Sequence, residues 1–426
     1  MQEYSELYSI SKKEVAPVLY AYTSWVIKEA LKRDIATLYF LARDGYVLRE
    51  IAQRICNEQK INMECRYLYC SRMALRKPTY HFIGEEAYRL IFMDGCHVSI
   101  RSFFDKVGLP EKMFSTVMAE AGIQNDIDID AELNSQEILD YKKLLVKSSS
   151  FVKCIVDKSK QAYELIEKYF RQENIFEQET LAIVDSGWAG SMQRSLRQLL
   201  QSMGWEKNIV GFYFGMFSAP KLEDGEYCCF YFDEKSNTKN KILFSNSVFE
   251  CFLSAPHGMT IGYIENIENG SIEPVFRDCI GDRQRIMIQE QINGILAGIE
   301  IAIQQRHRGS LLECQKILRR LMGRPNPLEA ETYGRFYFCD NVTEAYHFAL
   351  ASPEQLYLLK YQLVSYRLKN KLTHGEKNQS VLFWDYGVVA FEPDPLKRVW
   401  YWLNIYIWKK MSFFKNMLLC RSGINT

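Results

Sequence analysis

No surplus of charge runs through this chain. Lysine and arginine number 53, aspartate and glutamate 52, so the net charge is +1. Without a global field, nothing in the net charge argues for nucleic acid or an acidic polymer as a partner. Histidine is scarce, at six residues, and none stands at zinc-ligand spacing from a cysteine. The twelve cysteines form no C-x-x-C pair and read as reduced thiols of a cytosolic protein. No stretch of about 18 residues is free of charged and polar groups, which argues against a transmembrane span. Residues 1–14 are polar and charged, unlike a signal peptide. No Ser-His-Asp arrangement is supported by spacing. What is present is 426 residues, enough for two or three packed units around a large core, with 14% aromatics.

The most informative stretch is 181–195, Leu-Ala-Ile-Val-Asp-Ser-Gly-Trp-Ala-Gly-Ser-Met-Gln-Arg-Ser. An apolar run ends in Asp185, Gly187 and Gly190 follow, and Ser191 opens a helical pattern. A buried strand, a tight turn and a helix N-terminus bring backbone N–H groups and the positive end of a helix dipole to one point, which suits a phosphate. Asp185 is placed to face a sugar hydroxyl or a metal-bound water. Trp188 either packs or walls a pocket. Gln193, in the first helical turn, faces a ligand or a neighbouring loop.

A second junction of this kind lies earlier. Residues 11–33 have helical spacing, with Ser11 and Glu14 as a capping box. Thr37–Ala42 is a continuous apolar run suited to a strand buried on both faces. It ends at Arg43-Asp44-Gly45, where an arginine can grip an anion and a glycine lets a ligand approach the backbone. After a further helix, residues 66–70 form another strand, leading into Ser71-Arg72. Strand, helix, strand is the parallel α/β unit, whose functional groups gather outside the carboxyl ends of the strands.

Residues 80–175 read as a mostly helical insertion covering the sheet. Within it Asn125–Asp130 lacks the glycine and glutamate of a calcium loop and reads as a solvated acidic loop. Residues 208–215 form a strand, and 220–241 a surface excursion. Residues 245–263 combine a helical piece carrying Glu250, a Pro-His-Gly turn and a strand. His257 in that turn is as suited to a structural role as to a functional one. Segments near 283–304, 309–322, 327–338 and 353–371 have helical spacing and suggest a lid or docking domain. The tail alternates aromatic bodies with lysines over Val399–Lys415. That pattern fits a peripheral membrane contact or a helix packed on the core with three lysines exposed. The domain division is then an N-terminal helix over 1–36, an α/β core over 37–265, a helical domain over 275–395, and the tail over 396–426.

Four stretches together resemble one family: Phe40-Leu-Ala-Arg-Asp-Gly45, Tyr69-Cys-Ser-Arg72, Val184-Asp-Ser-Gly-Trp-Ala-Gly-Ser-Met-Gln193, and Ser254-Ala-Pro-His-Gly258 with Gly262-Tyr263. They are similar to the half that follows the phosphatase-like half in proteins labelled HAD-superfamily hydrolases of bacterial polysaccharide gene clusters. That half resembles type I phosphoribosyltransferases and is tied to glycan phosphoribosyltransferases. The resemblance covers roughly residues 10–340, and any one motif alone is weak.

The resemblance implies a type I phosphoribosyltransferase-like parallel sheet and transfer of 5-phosphoribosyl from PRPP, with Mg²⁺ carried on the PRPP. The acceptor would be a lipid-linked surface-polysaccharide precursor at the inner face of the cytoplasmic membrane, and a separate phosphatase would act on the product. Residue by residue, Asp185 would contact the ribose, and Ser186, Gly187, Ala189, Gly190 and Ser191 the 5-phosphate. Arg43, Asp44 and Gly45 match the pyrophosphate loop, with Ser71 and Arg72 beside it. Trp188, Gln193 and His257 complete the expected substrate contacts. Ordinary type I enzymes have two adjacent acids in the PRPP loop; here Val184 precedes a single Asp185. Glu250 would supply the missing carboxylate, and Asp44 or Glu250 would take the acceptor proton. HAD chemistry needs a strand ending in Asp-x-Asp, which neither buried strand offers. Hydrolysis of phosphate esters in the same cradle, and a non-catalytic binding module in polysaccharide assembly, are the alternative readings.

Overall fold

The structure, a computed structural model, describes residues 2–421 apart from 96, 125, 278–279, 308, 339–347 and 373–381. In chain order, the elements that position the site are α1 (Ala16–Leu31), β1 (Thr37–Leu41), α2 (Gly45–Gln59), β2 (Glu64–Leu68), α3 (Arg72–Arg76), α4 (Ser149–Gln172), β3 (Thr180–Trp188), α5 (Ser191–Ser202), β4 (Asn208–Met216), β5 (Glu226–Phe232), α6 (Asn246–Phe252), β6 (Met259–Glu265), β7 (Ile272–Arg277), α7 (Asp282–Gln304) and α8 (Pro395–Arg421).

Five strands make one parallel sheet in the order β2-β1-β3-β4-β5. Apolar residues run without interruption along β1 because both faces are covered. Successive side chains point to opposite faces. Leu38, Phe40, Ala182, Val184, Val210 and Phe212 join the core built with α1, α2 and α7. Tyr39, Leu41, Leu181, Ile183 and Ile209 join the core built with α4 and α5. The helix after β1 therefore packs on one face and the helix after β3 on the other. Adjacent strands whose following helices diverge leave a crevice at their carboxyl ends, the usual ligand position in open α/β sheets.

Several expectations change. Residues 220–241 are not simply a surface excursion: Glu226–Phe232 is the fifth, parallel edge strand. Its charged flanks hide an aromatic run that packs under Phe214 and Phe244. Ser11 does not cap a helix. It lies inside a continuous helical stretch from Gln2, in a π-helical turn, where its buried hydroxyl meets Tyr333 Oη at 3.0 Å. The helical insertion has its own core, including Ile91, Phe103, Phe104, Val117 and Phe151, whereas the C-terminal half of α4 belongs to the sheet layer through Ile166, Tyr169 and Phe170. In the acidic loop, Asp130 accepts a hydrogen bond from Arg101 at 2.6 Å; Asn125 lies outside the described residues.

The helices after 282 are not a separate lid, because they share one core with the N-terminal helices. Their segment at 327–338 is helical only over Pro327–Gly334, and the segment at 353–371 divides into a 3-10 stretch and a short α-helix. α7 is long and apolar enough to cross a membrane by length and composition. Here its face of Met287, Ile288, Ile292, Ile295 and Ile299 is buried in the core. At Gly294 and Gly298 it crosses the N-terminal helices so closely that a Cβ would lie 2.5 Å from the carbonyl oxygens of Tyr8 and Lys12. The tail is a helix, and it does pack on the core through Ile405, Trp402 and Phe413. Of the three tail lysines, Lys409 is paired with Asp385 at 3.0 Å and Lys410 is exposed; the side chain of Lys415 lies outside the described residues.

Candidate functional site

At the crevice, β3 outlasts β1. The β1–β3 pairing ends at Phe40 and Val184, while β3 continues beside β4 to Trp188. Asp185 therefore sits where β1 has already turned away, rather than at the end of its own strand. Its backbone carbonyl is held by the Tyr22 hydroxyl at 2.8 Å, and the same hydroxyl reaches the Phe212 carbonyl at 2.9 Å. β3 can press this far into β4 because Gly187 faces Gly215 across the register. Gly187 has φ 111°, and a Cβ there would lie 2.4 Å from the Gly215 carbonyl oxygen.

One cavity of about 330 Å³ opens at this point. Arg43, Asp44, Ser71, Arg72, Asp185, Ser186, Gly187, Trp188, Ala189, Ser191 and Glu250 line it. Asp44 stands at the N-cap position of α2, close enough to Asp185 for the two charges to interact. Burial pushes the Asp185 carboxyl up, and the neighbouring Asp44 adds to the rise, to about 8. Burial also raises Asp44, offset in part by the Ser186 hydroxyl and by Arg43 and Arg72. Two carboxyls so placed retain a shared proton near neutrality.

The turn divides its donors. The backbone N–H groups of Ser186 and Gly187 are given to the Asp185 carboxylate, and the Ser186 hydroxyl to Asp44. These two residues therefore organise the acid pair, and both line the cavity. The phosphate-type geometry begins further on, where α5 starts at Ser191 after Gly190 in the left-handed region (φ 65°). The first N–H groups of a helix have no intrahelical partner, so this end is suited to an anion. Arg72 opens α3, whose N-cap Ser71 accepts from the Ala74 N–H and donates to the Thr260 carbonyl at 2.6 Å.

Trp188 is both wall and packing. Its indole N–H donates to the Glu250 carboxylate at 2.6 Å, and its ring lies against Phe217, Phe244 and Phe249. Glu250 and Asn246 project from α6 one turn apart, and both line the cavity. Asn246 was missed in the sequence, although its i,i+4 spacing from Glu250 was the available signal. Ala42, Cys70, Met192 and Met259 complete the lining, and nothing in their residue types marks them. Burial pushes the Cys70 thiol up, which favours its neutral form in the wall.

Four expected contacts do not line the cavity. Gly45 lies beneath it in the first turn of α2, where a Cβ would come within 2.5 Å of the Phe40 backbone. Gly190 abuts Pro220 instead. Gln193 is fully buried. Its amide donates to the carbonyls of Asp224 and Glu226, both at 3.0 Å, and its oxygen accepts from Tyr213 Oη at 2.7 Å. It joins α5 to β4 and to the start of β5. Gln193→Leu is expected to strand these buried groups and destabilise the protein by roughly 2–4 kcal/mol in denaturant titration. His257 stands behind Arg43 in a box of Tyr46, Tyr67, Tyr69 and Phe276. Its Nδ1 meets the Gly258 carbonyl at 2.9 Å, so that nitrogen carries the proton, and Nε2 accepts from Tyr67 Oη at 2.8 Å. Burial lowers its pKa and Arg43 lowers it further, which keeps the ring neutral. His257 is a buttress.

No family model and no curated protein matches this chain.

Proposed function

We propose that this chain is a glycan phosphoribosyltransferase, using a type I phosphoribosyltransferase-like sheet to transfer 5-phosphoribosyl from PRPP to a sugar hydroxyl. The observation that carries the reading is the meeting of Asp44 and Asp185 in one cavity with Arg43, Arg72 and the N-terminus of α5. The second acid that the loop around Asp185 lacks in sequence is supplied from the neighbouring strand end.

In this reading the 5-phosphate sits at the start of α5, at Ser191, and the pyrophosphate between Arg43 and Arg72. Mg²⁺ would arrive on the PRPP, held by its phosphate oxygens, the hard donors that ion prefers, with the Asp44 and Asp185 carboxyls beside it in the cavity. When bound, it neutralises charge on the leaving pyrophosphate.

The bond from ribose C1 to the pyrophosphate oxygen breaks, and the electron pair leaves with pyrophosphate. Positive charge develops on the ring, where the Asp185 carboxylate stabilises it. The acceptor hydroxyl oxygen bonds to C1 from the opposite face, inverting α to β. Its proton passes to Asp44, with Glu250 as the other carboxylate in reach of the cavity. Trp188 holds Glu250 by its indole N–H and walls the cavity that would take the acceptor sugar. The product keeps its 5-phosphate, which a separate phosphatase removes. The acceptor class is a bacterial surface-polysaccharide precursor.

Phosphate-ester hydrolysis is the second reading, favoured by the raised pKa values of the acid pair, since a carboxyl holding a proton can serve a leaving oxygen. Pyrophosphate release from PRPP, followed with and without an acceptor oligosaccharide, separates the two. Acceptor-dependent release with a phosphoribosylated product is expected. Acceptor-independent release of inorganic phosphate from simple esters supports hydrolysis, and PRPP binding without turnover supports a binding module.

A further inference from the structure

The packing of α8 leaves one face unpartnered. Ile405, Trp402 and Phe413 turn inward. Leu396, Val399, Trp400, Leu403, Ile407, Met411 and Phe414 are all exposed, the first, second and last by more than half. At 3.6 residues per turn these seven fall in an arc of about 120° along a helix about 40 Å long.

The charge on this helix is of one sign. Residues 395–421 contain Lys397, Arg398, Lys409, Lys410, Lys415 and Arg421 and no aspartate or glutamate. Lys397 and Lys410 are exposed beside or within the apolar arc. Under the helix runs an apolar groove of about 440 Å³, walled by Pro325, Val389, Val399 and Leu403, with Arg324 and Arg398 also lining it. Trp402 forms part of that wall, and the Arg324 guanidinium lies 4.5 Å from its ring centroid.

The helix is also joined to the site. The Phe413 ring stacks on Phe217 with centroids 6.0 Å apart, and Phe217 lies 5.9 Å from Trp188, the cavity wall. The unpartnered face thus belongs to a helix whose C-terminal part stands next to the cavity.

We propose that α8 is an in-plane membrane helix that docks the chain on an anionic bilayer, with its apolar arc in the acyl boundary and its lysines at the headgroups. An aromatic and aliphatic stripe with basic residues and no acid is the composition that binds this interface. Anionic lipid complements the one-signed charge, and the groove under Val399 and Leu403 accepts an acyl chain. A second copy of this basic helix would meet like charge. Phe217 and Phe413 put the Trp188 wall of the cavity two ring contacts from the docked helix, so docking holds the cavity near the bilayer. That nearness gives access to acceptors carried on lipid, a consequence that rests on the transferase reading, whereas the docking itself does not.

The test is co-sedimentation of the full chain with vesicles of phosphatidylcholine alone and of phosphatidylcholine mixed with phosphatidylglycerol. Binding to the anionic vesicles is expected, weakening with added salt. Leu403→Glu with Ile407→Glu is expected to reduce it at least roughly tenfold. Lys397→Glu with Lys410→Glu is expected to reduce it on anionic vesicles, while both variants keep the thermal melt of the parent. No binding to either vesicle, or binding that the variants leave intact, overturns the proposal. So does a dimer in sedimentation velocity that Leu403→Glu dissociates in the absence of vesicle binding. Vesicle binding by a protein that releases no pyrophosphate leaves the docking in place and removes the transferase.

Discussion

Asp185→Asn should lower acceptor-dependent pyrophosphate release by roughly 10²–10³-fold, the loss typical of one preorganised electrostatic group. The same substitution should make the unliganded protein more stable. Asp185 has its carboxyl pushed up to about 8 by burial and by Asp44. Its folded pKa therefore exceeds the unfolded value of about 3.9. Between these values the native state binds more protons than the unfolded chain, so stability falls as pH rises from about 4 toward 8. An amide carries no such liability. The expected gain is about 0.5–2 kcal/mol at neutral pH, read from thermal melts, with a flatter dependence of stability on pH. A purely structural Asp185 would show the opposite, a loss of stability. On the proposed function, affinity for PRPP with Mg²⁺ would draw on the ionised pair, so it should strengthen as pH climbs toward about 8 in the parent. Asp185→Asn should lose most of that slope.

Arg72→Ala and Arg43→Ala are each expected to raise the KM for PRPP by roughly 10- to 100-fold, the worth of a charged hydrogen bond to phosphate. Binding of ribose 5-phosphate, which lacks the pyrophosphate, should change much less. Arg72→Lys should recover only part of the loss, since an ammonium cannot make two parallel bonds. Equal weakening of both ligands would move the two arginines from the pyrophosphate to the 5-phosphate. Arg43 carries a second expectation. Its cation lies beside both Asp44 and His257. Its removal should raise the pKa of Asp44 and shift the pH profile of activity upward, an effect Arg72→Ala shares through the same carboxyl.

Much of the scaffold was legible in the chain, because buried parallel strands announce themselves as uninterrupted apolar runs. Thr37–Leu41 and Asn208–Met216 were readable in this way, and so was the start of α5 after Gly190. β5 was not, because charged residues flank it and an edge strand is half covered, so its composition resembles a loop. The long apolar α7 and the tail helix were legible as helices but not in their partners. Periodicity reports that a face is apolar and does not say what covers it.

The candidate site residues divide on the same line. Local chemistry at strand ends singled out Arg43, Asp44, Arg72 and Asp185, because a strand, a turn and a helix start are set by a few neighbouring residues. The partnership of Asp44 with Asp185 could not be read locally. The two are separated by the whole helical insertion, and they meet only because β1 and β3 are neighbours whose helices leave on opposite faces. Tertiary structure likewise decided the fates of Gln193 and His257. A polar side chain near a loop has the same appearance in sequence whether it faces a ligand or the interior. Gln193 was claimed by two carbonyls and a tyrosine hydroxyl, and His257 by Tyr67 and the Gly258 carbonyl, because backbone carbonyls at the start of β5 and in the Pro-His-Gly turn required partners there.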